Sequence, residues 1–342
     1  MTPTRVSLAV AASCAALAGL VIVAFSVGRF PVTAGDLAGI LWSILTGGEH
    51  GLDPTIETVV LKIRGPRVAA ALLIGAALAA AGAAYQNMFR NPLVSPDILG
   101  VSAGAAVGAV LGIFLSLNVI AIQSLAFAFG LGAVGLVYVT ANAVRGHDPL
   151  LVLVLAGVVV GSLLGACVAL MKYLADPYNQ LPAITFWLLG SLASTDLSDV
   201  WTTLPLMLIG LAPMWLLRWR INLLSLEDEE ARALGVETGG IRLTVIAAAT
   251  LMTSASVAIS GVIGWIGLVI PHFARLLVGP DFARLLPTSI VLGAAFLLGV
   301  DTLARTVARI EIPLGVLTAI VGTPLFLWQL AAARRGWQQD DN

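Results

Sequence analysis

The side chains able to carry acid–base, nucleophilic or metal chemistry are few and scattered. His50, His147 and His272 lie in separate segments, and neither an H-E-x-x-H zinc motif nor a G-x-S-x-G nucleophile elbow occurs. A G-x-x-x-x-G-K-[ST] phosphate loop needs a lysine at its end, and the two lysines, Lys62 and Lys172, are not in that setting. The chain therefore does not hydrolyse ATP itself. Cys14 and Cys167 sit inside apolar runs, the ordinary place for a small buried side chain, and say nothing about compartment. What remains is charge placed at definite points. RNPLVSPDILG (90–100) interrupts two apolar stretches, and SLEDEEARALGVETGG (225–240) puts four acids, Glu227 to Glu230, in a row. Such groups make interfaces and turns rather than break bonds.

The elements that must hold them are membrane helices. Hydrophobic residues make up 59% of the 342 and charged residues 11%. The mean hydropathy is +0.98, far from the roughly 45–50% apolar and ~25% charged of soluble domains. A span of hydrocarbon takes about 20 apolar residues with every backbone group satisfied internally. No alternation of apolar and polar residues is present, so a membrane barrel is not indicated and the fold class is all-α. The net charge of −1 and the lack of a basic run exclude attraction to nucleic acid.

The first span is expected over Val6 to Val27, too long for the core of a cleaved signal. A polar stretch then runs to Arg67, and the second span follows from Val68 to about Asn87. The uncharged run from Ile98 to Val144 is too long for one helix and should break near Asn118. Pro149 can open the fifth span, Leu150 to Met171. Ala183 to Ser191 is apolar but short, and is read as an interfacial helix. A sixth span covers Val200 to Leu217, and Ser225 is expected to cap a helix whose first turn carries the acids. The 32 uncharged residues between Arg242 and Arg275 suggest a full span and a short returning half-helix, divided by Gly261, Gly264 and Gly267. Leu286 to Val300 and Ile312 to Ala333 complete about ten spans in one domain, 1–342. An even number puts both termini on one side. With the termini cytoplasmic, eleven basic residues fall in inner loops against seven outside. The small-residue spacings Gly104-xxx-Gly108-xxx-Gly112 and Gly157-xxx-Gly161-xxx-Gly165 are read as helix packing.

So many helices suggest transport, which needs an energy source. Ion coupling would place Asp, Glu or His within spans, which are nearly free of them. An ion-coupled secondary transporter is the competing reading. If the chain is a pump, its energy comes from a partner at the inner face, and the candidate contact is Glu230, Ala231, Arg232, Ala233, Leu234 and Gly235 in the longest inner loop.

Three motifs, IRGPRVAAALLIGAALAAAGAAYQNMFRNPLVSPDILGVSAGAAVGA (63–109), GVIGWIGLVIPHFARLLVGPD (261–281) and DTLARTVARIEIPLGVLTAIVGTPLFLWQL (301–330), resemble the permease subunit of type II ABC importers, which take up iron–siderophore chelates, haem and vitamin B12. The resemblance runs in order from about residue 30 to 333. It implies a ten-helix permease working as a homodimer in the inner membrane, with two ATPase subunits beneath it that bind ATP and Mg. A periplasmic or lipid-anchored binding protein would dock from outside. It also implies that Arg64, Arg67 and Arg305 meet acids of that binding protein, which would explain the outer basic excess. The coupling helix would fall at Glu230 to Gly235 within a loop at about 221–241. The cytoplasmic gates would match Asn91 and Leu93 in one loop and His147, Asp148 and Pro149 in another. Gly65 stands where Leu is more frequent in R-L-P-R, and the four acids make the coupling segment more negative than usual. The cargo implied is a metal chelate, ferric siderophore first, with haem, cobalamin and molybdate behind.

Overall fold

A computed structural model describes residues 3–28, 30–47, 51–144 and 149–337 of the chain. Among the described residues all regular structure is helical. The chain opens with α1 (Pro3–Ser26) and α2 (Ala34–Thr46). Next come α3 (Pro54–Glu57), a wider π turn over Thr58–Arg64, and α4 (Gly65–Met88), which together make one continuous helix, Pro54–Met88. α5 (Val101–Phe114), α6 (Val119–Ala143), α7 (Pro149–Leu174), α8 (Gln180–Leu189) and α9 (Leu197–Leu216) follow. The short α10 (Arg218–Asn222) and α11 (Asp228–Ala233) lead to α12 (Thr238–Ser260), α13 (Ile266–Val278), α14 (Phe282–Thr306) and α15 (Leu314–Trp337). Seven of these helices are long and apolar enough to cross a membrane, and α2, α5, α8, α13 and Leu314–Trp328 of α15 are shorter apolar helices.

Two departures from the sequence reading concern residues 34–67. The supposed polar stretch contains α2, started by a capping box in which Thr33 and Asp36 exchange bonds and stopped at Gly47 with φ 69°. Its single charge sits in the cap, and Leu41, Trp42, Ile44 and Leu45 are exposed beyond it. The second long helix begins at Pro54 rather than Val68, because Asp53 caps it through a 2.7 Å bond from Thr55 N–H. Its π turn then carries Lys62 and Arg64 without ending the helix.

Helix α4 is the axis of the bundle. Its Ala- and Gly-rich run is buried along nearly its whole length against α14, α12, α13 and α9. Small residues let these helices meet backbone to backbone. A Cβ placed on Gly75 would fall into the carbonyl of Gly293 in α14, and one on Gly82 into the carbonyl of Gly267 at the start of α13. In the same way Gly104 and Gly108 of α5 press on the carbonyls of Phe129 and Leu125 in α6. The second small-residue stripe behaves differently. Gly157 packs on Ile98 and the backbone of Gly161 passes close to Gly100, but Gly165 faces open space in the single chain, so it is not a packing residue within it.

The expected breaks occur at Asn118, whose side chain caps α6, and at Gly261, where α12 stops and an extended segment leads to α13. α13 is the short returning helix, and it starts at Trp265, which holds φ 73° although it is not glycine. Chain breaks are stitched together here. Ser191 N–H donates to Ser260 C=O at 2.8 Å, and Leu314 N–H to Gly190 C=O at 2.9 Å.

Substituting Gly82→Ala should force α4 and α13 apart at a cost of about 1–3 kcal/mol, seen as a lower thermal unfolding midpoint of the purified protein. Gly132→Ala in α6, where an added Cβ meets nothing within 4 Å, should leave the midpoint unchanged or raise it.

Candidate functional site

At the N-terminal end of α4 the three arginines of the sequence reading come together from distant parts of the chain. Arg64 is 5% exposed, and its guanidinium donates to the carbonyl of Phe25 and, at 2.5 Å, to that of Phe30. Arg305 donates to the carbonyls of Ala24 and, at 3.3 Å, Val27. α1 ends at Ser26, so Ala24 and Phe25 are carbonyls that the end of a helix leaves without helical partners, and two cations close the negative end of its dipole while also holding the segment just beyond it. Arg67 is held by two carboxylates. Its Nε donates to Asp301 at 2.8 and 3.1 Å, while Nη1 donates to Glu311 at 3.1 Å and Nη2 to the other Glu311 oxygen. Asp301 is fully buried in α14 and also lies 3.6 Å from Arg305 Nε. Three guanidinium groups thus face two carboxylates, which leaves one positive charge on a cavity of about 240 Å3 lined by Gly28, Phe30, Arg64, Arg67, Arg305 and Glu311.

The arginines are therefore neighbours, as one docking surface would require, yet most of their donors are used inside the fold. Asp301 and Glu311 are the residues the sequence reading missed. Asp301 begins the D-T-L-A-R stretch and Glu311 lies six residues after Arg305, but only the packing of α4 beside α14 shows that both belong to Arg67.

The opposite end of α4 carries the loop 90–100. The last turn is polar although buried. Gln86 Nε2 donates to Leu268 C=O at 2.9 Å, Asn87 Nδ2 to Ile221 C=O at 2.6 Å, and Arg275 Nη2 to Gln86 Oε1 at 3.3 Å. α4 then ends on Arg90, whose φ of 51° occupies the left-handed position usually given to glycine, while Asn91 N–H returns to Gln86 C=O at 3.1 Å. Asn91 Oδ1 accepts from Leu93 N–H at 2.9 Å, closing a tight turn that leaves both residues exposed. Arg90 reaches the carbonyl of Leu226 at 3.4 Å. Pro149 begins α7 and is exposed; His147 and Asp148 lie outside the described residues.

The segment 221–241 stands beside this loop. Ser225 closes a 3-10 turn instead of capping a helix, and the cap is Glu227, whose N–H meets the Glu230 carboxylate at 3.4 Å. The reason is spacing: Glu230 falls three residues after Glu227, as a capping box needs. α11 stops in a Schellman turn, with Val236 N–H donating to Ala231 C=O at 3.0 Å and Gly235 at φ 79°. Ala231 and Val236 are buried beneath it, whereas Glu230, Arg232, Ala233, Leu234 and Gly235 are exposed. Asp228 ties α11 to α12 through both Arg242 nitrogens, one at 2.8 Å. Partial burial alone would raise the Asp228 carboxyl. The hydrogen bond and charge of Arg242, with Arg232 and Arg90 nearby, outweigh it and hold the carboxyl below its ordinary range.

Residues 10–332 match the FecCD transport family. The chain belongs to this family. Its relatives include the molybdate import system permease of Haemophilus influenzae, 38% identical over 315 residues that cover 92% of this chain and 93% of that one. The cobalamin import system permease of Halobacterium salinarum is 40% identical over 306 residues, 88% and 81% of the two chains. A solved structure described as an inward-facing conformation of a metal-chelate type ABC transporter superposes with a TM-score of 0.84 at 35% identity, covering 93% of this chain and 96% of that one. This FecCD protein is thus an ABC importer permease and a multi-pass inner-membrane protein, of a family whose members serve with ATPase and binding-protein partners.

Two outcomes are expected for this FecCD permease. Arg67→Ala strands the buried Asp301 carboxylate, so it should destabilise by about 3–5 kcal/mol, and adding Asp301→Asn should recover part of the loss in thermal unfolding. Arg242→Ala should loosen α11, giving faster amide exchange over 228–236. Because the Asp228 carboxyl is lowered from 3.8, its tie to Arg242 is complete above that pH and is lost only as pH falls through the lower folded value. Exchange over 228–236 should therefore be flat between pH 6 and 8 once corrected for intrinsic rates.

Proposed function

We propose that this chain is the translocating subunit of an importer for a metal chelate, ferric siderophore first, with haem, cobalamin or molybdate as the other cargoes. Two copies form the pathway, two ATPase subunits bind ATP and Mg beneath them, and a periplasmic or lipid-anchored binding protein delivers the cargo. The chain is one domain, breaks no bond itself and holds no cofactor of its own. The observation that carries this reading is the pairing of two specialised ends on one buried helix: an arginine cluster with surplus positive charge at one, and the exposed α11 beside the Asn91 and Leu93 loop at the other. Ten crossings with cytoplasmic termini are supported by the seven long helices together with α5, α13 and α15. The count of basic residues in the loops points the same way.

In this mechanism Arg64, Arg67 and Arg305 receive acidic groups of the binding protein, and Glu230 to Gly235 enter a groove of the ATPase. ATP binding closes the ATPase pair and displaces α11. Its tie to Arg242 passes the motion to α12, and the bonds from Asn87 to Ile221 and from Arg90 to Leu226 pass it to the end of α4. The Asn91 and Leu93 turn then exchanges places with the loop holding His147, Asp148 and Pro149. Support for a metal chelate comes from the solved relative of that type; the two curated relatives described above name molybdate and cobalamin, so cargo is decided by experiment.

The test is reconstitution with the ATPase and binding protein, measuring ATP turnover with the binding protein loaded in turn with ferric siderophore, haem, cobalamin and molybdate. Ferric siderophore should stimulate most. Stimulation by molybdate alone would overturn the cargo assignment, and uptake driven by an ion gradient without the ATPase would overturn the importer mechanism. Leu234→Glu, at a position 62% exposed, should abolish ATPase co-purification while leaving the permease's own unfolding midpoint unchanged.

A further inference from the structure

The two carboxylates on Arg67 are not equivalent. Asp301 is 0% exposed, takes Nε and also lies 2.8 Å from Nη2, and has Arg305 behind it. Glu311 is 29% exposed, grips the Nη1 and Nη2 side, and lies on the cavity wall in the segment joining α14 to α15. The other two arginines cannot be released so readily, since their donors close the end of α1, where helix carbonyls would lose their partners. Of all the bonds in the cluster, the one to Glu311 is both charge-assisted and reachable from water.

We propose that Glu311 is an internal occupant of the docking site: a carboxylate of the binding protein displaces it from Arg67 Nη1 and Nη2. This rests on the reading above that the arginine end receives that protein. The exchange replaces one carboxylate by another, so Arg67 is never left buried without a counter-charge, and the large cost of an unpaired buried ion is avoided in both states. The surplus positive charge draws the acidic group in, and the competition from Glu311 keeps the complex reversible. The displaced side chain takes its place in water. Glu311 is also one of the ties on the lead-in to α15, alongside Ile312 N–H to Ala304 C=O at 3.1 Å and Leu314 N–H to Gly190 C=O at 2.9 Å. Its release loosens that lead-in, so docking is felt at the start of α15.

The test measures binding of the cognate, cargo-free binding protein to the intact permease–ATPase complex at low and high salt. Glu311→Gln removes the competing charge and should tighten docking by about 3- to 10-fold, with the gain shrinking as salt rises. Glu311→Asp, which keeps the charge but shortens the reach, should tighten it less. Unfolding midpoints of the same complexes separate docking from stability. Arg67→Ala in a complex that still assembles should weaken docking with either residue at 311. If Arg67→Ala weakens docking but neither Glu311 variant tightens it, the exchange is overturned and the docking role stands. If Arg67→Ala leaves docking unchanged, the docking role itself fails.

Discussion

The close approach of backbones around α4 is the constraint on which everything else depends. At Gly75 against Gly293 and at Gly82 against Gly267 no side chain fits between the helices. In a membrane, where hydrophobic burial between helices contributes little, such contacts supply the packing that holds a bundle together. They also fix the axial position of α4 relative to α13 and α14. That register is what sets Arg67 level with Asp301 at one end and Gln86 level with Leu268 at the other. The two ends proposed to meet partners are therefore placed by the same few glycines, and a slip of one turn would unpair both.

Electrostatics then follow from position. Charged groups are scarce, and those that lie deep in the fold are matched: Arg67 with Asp301 and Glu311, and Arg64 and Arg305 with the carbonyls at the end of α1. Asp301 is the one carboxylate buried in a long helix among the described residues, and it is neutralised by its neighbours. That arrangement favours an external energy source over an ion carried by the chain, because a coupling carboxylate must be able to lose its partner. Amides do comparable work at the other end, where Gln86 and Asn87 donate to carbonyls of α13 and α10 and so satisfy their own buried polar groups.

Local signals were legible in the sequence and non-local ones were not. Asn118 as a break, Pro149 as a helix opener and Gly261 as a break each act on the chain beside them, and each stands where it was expected. The four acids were read correctly as a helix start but with the wrong cap, because Ser225 and Glu227 are both competent and only Glu227 has a partner three residues on. α2 was hidden by neighbouring polar residues, and the π turn has no sequence signature that distinguishes it from an ordinary loop before a span. The arginines were recognised as a group through their motifs. That they are already bonded to α1, Asp301 and Glu311 depends on contacts across 39 residues for Arg64 and more than 200 for Arg67 and Arg305, which spacing cannot report. The glycine stripe of α7 shows the converse, since a correct pattern predicted a contact that Gly165 does not make within the chain.

The Schellman turn at Gly235 closes α11 after six residues, and the Glu227 and Glu230 pair closes it at the start. A helix sealed at both ends can neither lengthen into the loop nor unwind from it without losing a cap. It behaves as a peg of fixed length, seated on buried Ala231 and Val236 and pinned by Arg242. A peg transmits thrust and little bending. Under the proposed contact with the ATPase, the stroke delivered through it is set by the depth and angle of the socket, and an engine with a socket of the same shape could drive this subunit whatever its surrounding sequence.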